Sequence, residues 1–375
     1  MEQVRTALIG TGVMGRKYAQ MIADGQAQPL ALAAVVCRHA EAQQWAQETL
    51  PQTVRVCADA GELFAHADEF DALLVVTPHK SHPELVQRAF ALGKHVLCDK
   101  PSAGSIGPAL EMNAAAARHP ELQFAMMFHQ RMYRKYRRLK LLLDTGALGE
   151  VQRVLVENSR YFRTWAYHQS SSWRSSWTGE GGGALLNQGQ HLLDIFQWLF
   201  GMPQSVYALI PYGKYNDFLV DDEATLLMEY PGRRTACFVL STGEGTRQER
   251  LEIVGTRGSA LLEGDVLTLH TYSPDTGTYR RTAGCTERQK LTETVTREDF
   301  GPQEEPYPAI LQNFGRAILC GEPLAAPGAE GVNALSLTDA AYLSAWLGEK
   351  VRLPLDAERF EQELAKRISE EAHHG

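Results

Sequence analysis

The spacing of hydrophobic positions differs between the first third of the sequence and the rest. In the first third, short continuous apolar runs such as Val4–Ile9, Leu30–Cys37 and Ala72–Val76 alternate with segments of helical composition. Continuous apolar runs are typical of strands buried on both faces, and their alternation with helices predicts a parallel α/β layer. Further strands of this layer are expected at Val54–Cys57, His95–Cys98 and Phe124–Phe128.

Beyond about residue 129 the predicted strands become longer, and turn signals such as Pro231-Gly232 separate them. This pattern favours an antiparallel sheet. The expected strands are Val151–Arg160, Ser205–Leu209, Glu223–Tyr230, Thr235–Ser241, Arg250–Val254, Ser259–Glu263 and Val266–Tyr272. Helices are expected from Leu185 to Phe200, from Tyr307 to Cys320 and from Asn333 to Leu347. We therefore predict two domains, over residues 1–128 and 129–375.

Composition changes this picture little. The 375 residues are 44% hydrophobic and 22% charged, with a net charge of -8, which argues against nucleic-acid or anionic-membrane partners. The six cysteines form no C-x-x-C pair, and neither a leader peptide nor a membrane-length apolar run is evident. These features predict a cytoplasmic protein. The basic residues of the segment Arg131–Lys140 are expected to form the solvent-exposed face of an amphipathic helix, with an anion site as the alternative.

The first strand runs directly into a glycine turn, Gly10-Thr11-Gly12-Val13-Met14-Gly15. The G-x-G-x-x-G pattern alone is weak evidence, but its place between a strand and a helix makes it specific. The first glycine allows a tight turn, the second admits a pyrophosphate, and the third packs helix against sheet. The helix N-terminus supplies N–H groups to the phosphates. These residues therefore predict a Rossmann domain that binds a nicotinamide dinucleotide.

The choice of dinucleotide depends on the end of the second strand. An NAD site usually has Asp or Glu there, which binds the ribose 2′-OH. Here the strand ends Val36-Cys37-Arg38-His39, without a carboxylate. Arg38 could pair with a 2′-phosphate or stack on adenine, so we favour NADP over NAD. An Arg38 side chain that simply points into solvent is the alternative.

A lysine follows the strand at His95–Cys98, in the segment Cys98-Asp99-Lys100-Pro101. Ligands of open α/β sheets bind at this carboxyl edge. A lysine there can stabilise an alkoxide or carry a proton if its surroundings lower its pKa. Spacing alone, however, favours a surface lysine before a proline.

Together these motifs resemble the Gfo/Idh/MocA oxidoreductase family, and the resemblance extends from Val4 through Leu353. Asp99 stands where the family usually has Glu in a Glu-Lys-Pro box. The run Thr77-Pro78-His79-Lys80-Ser81-His82 resembles the family's Thr-Pro-Asn-x-x-His, with His79 replacing the Asn beside the nicotinamide. The resemblance implies cofactor contacts from Thr77, Pro78, His79, His82, Asp99, Lys100 and Gln130. It also implies a C-terminal domain built on a large, mostly antiparallel open sheet that binds substrate and forms homo-dimers or homo-tetramers.

The second-domain match is a Gly-Gly-Gly run that enters a helix carrying Asn187, His191 and Asp194. Asn187 and His191 are four residues apart and so share one helix face. The family often has Asp at position 187, and Asn cannot act as a base. The resemblance therefore places the proton role on His191 or Lys100, with Asn187 on a neighbouring hydroxyl. Its spacing of three residues from His191 alone predicts that Asp194 orients His191. Without the family, a packed helix histidine would be the better interpretation of His191.

Other candidate residues flank this helix. Phe128-His129-Gln130-Arg131 resembles the family segment that leaves the last Rossmann strand and often reaches the substrate. A long Ser- and aromatic-rich stretch holds Tyr161, Arg163, Trp173 and Arg174, which suit sugar faces and hydroxyls, although they could merely anchor the loop or a subunit contact. A metal site is not expected, since neither His79 with His82 nor His191 with Asp194 has a third ligand.

The resulting hypothesis is an NAD(P)-dependent dehydrogenase or reductase. It would move a hydride between nicotinamide and a secondary hydroxyl or ketone of a sugar, glycoside or inositol. Three alternatives stay open: reduction of another carbonyl or an imine, an NAD-dependent glycosidase, and a non-catalytic dinucleotide-binding regulator. The polar-aromatic stretch and the Asn187–His191 pair favour polyhydroxylated substrates.

Overall fold

A computed structural model describes residues 2–171, 173–285 and 291–374. The chain folds into two compact units. The first unit comprises Met1–Met132 and Glu305–Leu335, and the second comprises Tyr133–Glu304 and Ser336–Gly375. The division differs from the predicted one because Glu305–Leu335 returns to the first unit.

Strands and helices follow the hydrophobic pattern closely. The strands are β1 Val4–Ile9, β2 Leu30–Val36, β3 Arg55–Cys57, β4 Ala72–Val75, β5 His95–Cys98, β6 Phe124–Met126, β7 Val151–Asn158, β8 Ser205–Leu209, β9 Glu223–Glu229, β10 Thr235–Ser241, β11 Glu249–Gly255, β12 Gly258–Glu263, β13 Val266–Ser273, β14 Thr292–Asp299 and β15 Val351–Arg352. The helices are α1 Val13–Ala23, α2 Ala40–Thr49, α3 Ala60–Ala65, α4 His82–Ala91, α5 Ile106–Ala116, α6 Arg134–Asp144, α7 Trp165–His168, α8 Ala184–Asn187, α9 Gly189–Phe200, α10 Thr276–Thr282, α11 Tyr307–Cys320, α12 Gly331–Leu347 and α13 Ala357–His374.

The first unit is built on a parallel sheet with the order β3-β2-β1-β4-β5-β6. This is the strand order of a doubly wound dinucleotide-binding fold, whose ligands bind at the carboxyl edge. Strand β4 is buried along its whole length, as its continuous apolar sequence predicts. The predicted Rossmann fold is confirmed.

The segment Glu305–Leu335 completes this unit. Helix α11 packs on the start of β2, where Gly315 lies against Pro29 and Leu30. The chain then runs beside β6, where the Met126 N–H donates to the carbonyl of Ala326 at 2.9 Å. Tertiary packing therefore returns a distant segment to the Rossmann sheet, which a single boundary near residue 128 does not anticipate.

The second unit is built on a sheet with the order β14-β13-β12-β11-β7-β10-β9-β8-β15. Its neighbouring strands are antiparallel, except for β7 and β10, which are parallel. The predicted large, mostly antiparallel sheet is thus confirmed. The helix predicted from Leu185 to Phe200 is present as α8 and α9, which meet at Gln188.

Strand register places side chains in rows across this sheet. One row is fully buried and consists of Ala208, Leu226, Phe238, Val156, Leu251, Leu262 and Leu267. The next row points to the other face, is half-buried or exposed, and consists of Tyr207, Leu227, Cys237, Leu155, Glu252, Leu261 and Thr268. The two-residue period gives the sheet one core face and one open face.

The prediction that the basic residues of Arg131–Lys140 form a solvent-exposed helix face is wrong for two of them. Lys135, in α6, is 2% exposed, and its Nζ lies 2.7 Å from Glu249 and 3.1 Å from Asp265. Arg131 is also 2% exposed and pairs with Glu330 at 2.6 Å. Buried cations require such partners, and the helical pattern alone does not reveal them.

Within the described ranges, no helix combines the length and apolar composition needed to cross a bilayer.

Candidate functional site

The glycine turn at the end of β1 is held by steric limits. Gly10 has φ +106°, a conformation that residues with a Cβ rarely adopt, and a Cβ there would collide with the carbonyl oxygen of Val76. A Cβ at Gly15 would collide with the carbonyl oxygen of Gly10, so this residue lets α1 start directly against the turn. Both glycines are required by the fold itself.

Gly12 differs from its two neighbours. It has φ -72°, and a Cβ there would meet nothing within 4 Å. The space lies at the N-terminus of α1, an eleven-residue helix with no acidic residue in its first turn and no side-chain cap. Open space beside uncapped N–H groups fits a pyrophosphate, which would accept their hydrogen bonds and offset the helix dipole.

The end of β2 lies beside this turn. Thr11 Oγ1 donates to the carbonyl of Val36 at 3.1 Å, which fastens the turn to the second strand. Val13 is 87% exposed at the start of α1, with Met14 half-buried after it. Arg38 and His39 are exposed immediately before α2. Arg38 is thus accessible to a ligand at the position where NAD sites usually carry an acid.

His82 anchors the segment that follows β4. Its ring is fully buried, with Nε2 lying 2.7 Å from the carbonyl of Thr77 and Nδ1 lying 2.9 Å from the carbonyl of Pro101. Carbonyl oxygens only accept, so both hydrogen bonds form together only when both ring nitrogens are protonated. Desolvation lowers the pKa of His82, and the two carbonyls oppose that shift. His82 therefore ties the Thr77-Pro78 segment to the chain beyond Lys100.

Lys100 follows β5 directly and is half-buried. Its backbone N–H donates to Oδ1 of Asp99 at 2.8 Å. Desolvation raises the pKa of Asp99, whereas the Lys100 charge and this hydrogen bond act in the opposite direction. A lysine at the carboxyl edge, beside a carboxyl group that resists ionisation, is placed to stabilise an oxyanion or exchange a proton with a ligand.

The segment after β6 is more buried than its sequence predicts. Gln130 in this segment is 4% exposed. His79, which follows β4 in the same unit, is 8% exposed. His129 Nε2 lies 2.6 Å from Glu305, and Arg131 Nη1 also donates to the carbonyl of Ala325 at 3.2 Å. The guanidinium of Arg131 thus serves packing within the first unit, and its predicted substrate contact stays a prediction.

In the second unit, a buried carboxylate holds the glycine run against α8. Asp221 is 1% exposed and accepts hydrogen bonds from Gly183 N at 2.9 Å and Leu185 N at 2.6 Å. The hydroxyl of Tyr342 also donates to it, at 2.6 Å. Desolvation raises the pKa of Asp221 to about 6, and the three donors oppose that shift. Asp221 satisfies N–H groups at the start of the helix that carries the predicted site.

Asn187 is the last residue of α8 and His191 lies in the first turn of α9, and both are half-buried. The side-chain amide of Asn187 donates to Oε1 of Glu180, whose Oε2 accepts from the backbone N–H of Ser175 at 2.8 Å. Asp194 is fully buried and accepts a hydrogen bond from Gln197 Nε2 at 3.0 Å. The structure thus supplies a buried carboxylate beside Asn187, although position 187 itself has none.

The aromatic stretch before the glycine run forms a compact cluster. The guanidinium groups of Arg163 and Arg174 lie 4.5 and 4.6 Å from the ring centre of Tyr167. Arg163 also lies 5.7 Å from the Tyr161 ring, and Arg174 lies 4.7 Å from the Trp173 ring. Two of the predicted substrate residues therefore pack on one tyrosine, and the other two, Tyr161 and Trp173, contact those arginines.

Sequence reasoning gave no role to Tyr167, Gln188 or Glu180, although Tyr167 and Glu180 contact predicted site residues and Gln188 contacts Tyr167. Gln188 Nε2 donates to the Tyr167 hydroxyl at 3.1 Å. The available signals were the aromatic content around Tyr167 and an acid directly before three glycines. Neither signal reveals which side chain it will meet, because these contacts join residues 7 to 21 positions apart through an irregular segment.

Comparisons with known proteins agree with this architecture. Residues 4–127 match the model of the oxidoreductase family with an NAD-binding Rossmann fold, and residues 136–261 match the GFO/IDH/MocA C-terminal domain. The inositol 2-dehydrogenase of Mycolicibacterium gilvum (strain PYR-GCK) is 27% identical over 363 residues, which cover 96% of this chain and 94% of that protein.

Solved structures show the same fold. The WlbA dehydrogenase from Bordetella pertussis, in complex with NADH and UDP-GlcNAcA, has a TM-score of 0.77 at 22% identity, covering 95% of this chain and 100% of that one. Myo-inositol 2-dehydrogenase from Lactobacillus plantarum has a TM-score of 0.73 at 20% identity, covering 94% and 99%. The resemblance inferred from the motifs is confirmed, and the chain belongs to the Gfo/Idh/MocA family of oxidoreductases, with an NAD-binding Rossmann domain and the C-terminal domain of that family.

Proposed function

We propose that the protein is an NAD(P)-dependent dehydrogenase that interconverts a secondary hydroxyl and a ketone on a sugar, glycoside or inositol. The observation that carries the proposal is the glycine run that leads into α8 and α9, which carry the half-buried Asn187 and His191 only four residues apart. Polar groups on a rigid element suit hydroxyl recognition. The names of the inositol dehydrogenase relatives point to the same substrate class.

The dinucleotide would be held by the turn Gly10–Gly15 and the N-terminus of α1. Thr77, Pro78 and His79 would line the same carboxyl edge, with His82 fixing their backbone. When bound, the nicotinamide supplies hydride exchange with the carbinol carbon. Arg38 is exposed and no acid ends β2, which supports a preference for NADP over NAD.

Proton transfer falls to Lys100 and His191 in this proposal. In oxidation, one of them takes the hydroxyl proton while the other stabilises the developing negative charge on oxygen; in reduction the same groups act in reverse. Asn187 binds a neighbouring hydroxyl. An amide cannot take the proton itself, which leaves His191 and Lys100 as the candidates.

We also propose that the open face of the large sheet joins copies of this chain into a homo-dimer or homo-tetramer. Leu155, Leu227, Cys237 and Leu261 share one outward row, and Leu227 is 50% exposed. Leu227, Cys237 and Leu155 are adjacent in this row, whereas Glu252 separates Leu155 from Leu261. Exposed apolar side chains on a sheet face are a typical association surface. Light scattering of wild type and Leu227→Lys tests this: the variant should have a smaller molar mass.

The substrate class is tested by following reduced-cofactor absorbance. Sugars, glycosides, inositols and their keto forms are offered with NAD and with NADP to the full-length protein. Turnover of at least one polyhydroxylated compound supports the proposal. Turnover confined to imines or to carbonyl compounds without hydroxyl groups would overturn it.

A further inference from the structure

Two arginines share one tyrosine in the segment between β7 and α8. Arg163 and Arg174 both stack on Tyr167, at 4.5 and 4.6 Å from its ring centre. Arg174 Nη1 also donates to the Tyr167 hydroxyl oxygen at 2.8 Å. Gln188, directly after Asn187 in the chain, donates to that oxygen at 3.1 Å.

This cluster presents donors to its surroundings. The hydroxyl oxygen of Tyr167 already accepts from Arg174 and Gln188, so its own proton is directed to another acceptor. A guanidinium group has five N–H donors and no acceptor. The Nε atoms of both arginines are buried, which leaves the Nη groups to face a ligand, and the Nη groups of Arg163 make no hydrogen bond within the described part of the chain. The cluster therefore fits a ligand that is rich in acceptors.

Neither arginine of the cluster forms a direct ion pair with the described residues. Among residues 2–171, 173–285 and 291–374, neither Arg163 nor Arg174 has a carboxylate partner within 4.0 Å. By contrast, Arg160 pairs with Glu249 at 3.1 Å. The carboxylate of Glu180, in the same segment, is engaged by Asn187 and by the backbone of Ser175.

The neighbouring histidine responds to this charge. Burial is the main cause of the lowered pKa of His168, and Arg163 and Arg174 lower it further, against the opposing effect of Asp222. Asp222 itself is occupied, because its carboxylate accepts from the backbone N–H groups at positions 214, 215 and 216. Two half-buried guanidinium groups on one ring, each without a direct carboxylate partner among the described residues, favour the binding of an anion.

We infer that Arg163, Arg174 and the Tyr167 hydroxyl form a subsite for an oxyanion of the substrate. The preferred substrates are therefore acidic sugar derivatives, with a carboxylate or phosphate group, rather than neutral polyols. This inference rests on the proposed dehydrogenase function, since it assigns one end of that substrate. Planar guanidinium forks match both carboxylate and phosphate oxygens.

Calorimetric binding to the full-length protein loaded with oxidised dinucleotide tests the subsite without requiring turnover. The ligands are three matched sets: glucose, glucuronate and glucose 6-phosphate; galactose, galacturonate and galactose 6-phosphate; and myo-inositol with myo-inositol 1-phosphate. In at least one set, an anionic member should bind about tenfold or more tightly than its neutral partner. The carboxylate and phosphate arms show which oxyanion is preferred.

Three variants locate the effect. Arg163→Gln and Arg174→Gln should each reduce the ratio of anionic to neutral affinity to less than about threefold. Arg138→Gln is the matched control, because Arg138 pairs with Glu298 at 2.7 Å and lies outside the cluster. Thermal unfolding of each variant checks that it folds. Added salt should weaken only the anionic members.

Equal affinity of neutral and anionic members, no measurable anion binding, or a preference that survives both substitutions would overturn the subsite. These results leave the dehydrogenase proposal standing if neutral polyols are still oxidised. Conversely, anion binding that depends on Arg163 and Arg174, without turnover of any compound, would overturn the proposed dehydrogenase and retain the oxyanion site.

Discussion

The side-chain amide of Asn187 donates a hydrogen bond to the carboxylate of Glu180, which also accepts from the backbone N–H of Ser175. Glu180 is 3% exposed, whereas Asn187, at the end of α8, is half-buried. A buried carboxylate requires such donors, and in return it fixes which end of the Asn187 amide faces it. Glu180 is thus a positioning residue for the predicted hydroxyl contact of Asn187.

Exchanging the two groups tests this role. Glu180→Gln has one acceptor oxygen for two donors, and Asn187→Asp places a second carboxylate beside Glu180. We expect each single variant to lower kcat/KM about tenfold or more. In the double variant, the introduced glutamine can accept from Ser175 and donate to the introduced aspartate, so most of the lost activity should return.

The pH profile separates positioning from general damage. Two adjacent carboxylates cannot both ionise easily. The pH profile of Asn187→Asp alone should therefore show an additional ionisation whose pKa lies above that of an ordinary carboxyl group, and this ionisation should be absent from wild type and from the double variant. If the double variant is as impaired as the product of the singles, the two side chains do not act as a pair.

The glycine turn separates folding from cofactor binding. Gly10→Ala should destabilise the protein by about 2 kcal/mol or more, because φ +106° and the Val76 carbonyl both exclude a Cβ. Gly12→Ala should change stability by less than about 1 kcal/mol, because nothing in the chain occupies that space. It should nevertheless weaken dinucleotide binding about tenfold or more, since its methyl group occupies the phosphate path.

Urea unfolding and fluorescence titration with reduced dinucleotides measure the two effects. Unchanged dinucleotide affinity in a folded Gly12→Ala protein would contradict the assignment of this turn to the pyrophosphate.

Arg38 sets the predicted cofactor preference. Arg38→Gln should weaken NADP binding about tenfold, because a charge-assisted contact with the 2′-phosphate is lost. NAD binding should change less than about threefold. Arg55→Gln is a control, since Arg55 pairs with Glu69 at 2.6 Å in the same unit. A wild type that binds NAD more tightly than NADP, or an equal loss for both cofactors, would refute the preference.

Asp221 predicts a pH dependence of stability. Its pKa is raised from 3.8 to about 6 in the folded protein, so the folded state binds more protons than the unfolded chain between these values. The contribution of this group to stability is therefore present at low pH and is lost as pH rises through about 6. The loss is up to about 3 kcal/mol.

Asp221→Asn removes this titration, although it also weakens the hydrogen bonds to Gly183 and Leu185. Because other groups titrate in both proteins, the readout is the difference in unfolding free energy between wild type and variant from about pH 4.5 to 7.5. Wild type should lose stability relative to the variant as pH rises. A constant difference would contradict the raised pKa.

The sequence predicted the fold well where burial follows a simple period. Strands β1, β5, β8 and β10 occupy the predicted residues, because continuous or alternating apolar runs mark them. Strand β14 was missed, since its side chains are almost all exposed and Val295 is its lone aliphatic residue. An edge strand paired on one side needs little apolar sequence.

Candidate site residues could be predicted from the sequence only where they belong to a short local motif. The turn at Gly10–Gly15 and the helix with Asn187 and His191 follow from spacing within a few residues. The Glu180 contact and the Tyr167 cluster depend on how an irregular segment folds back, which no periodicity encodes. The partners of the buried Lys135 lie more than 100 residues away in the chain, so charge along the sequence could not reveal them.

The most direct test of the central claim is the kinetics of Lys100→Ala and His191→Ala with a polyhydroxylated substrate found in the screen. Each variant should retain dinucleotide affinity within about threefold and lose about 10² or more in kcat, since each removes a group that moves or stabilises the reacting proton. The pH profiles of the two variants then assign the proton carrier. Wild-type turnover by the double variant would contradict the proposed chemistry.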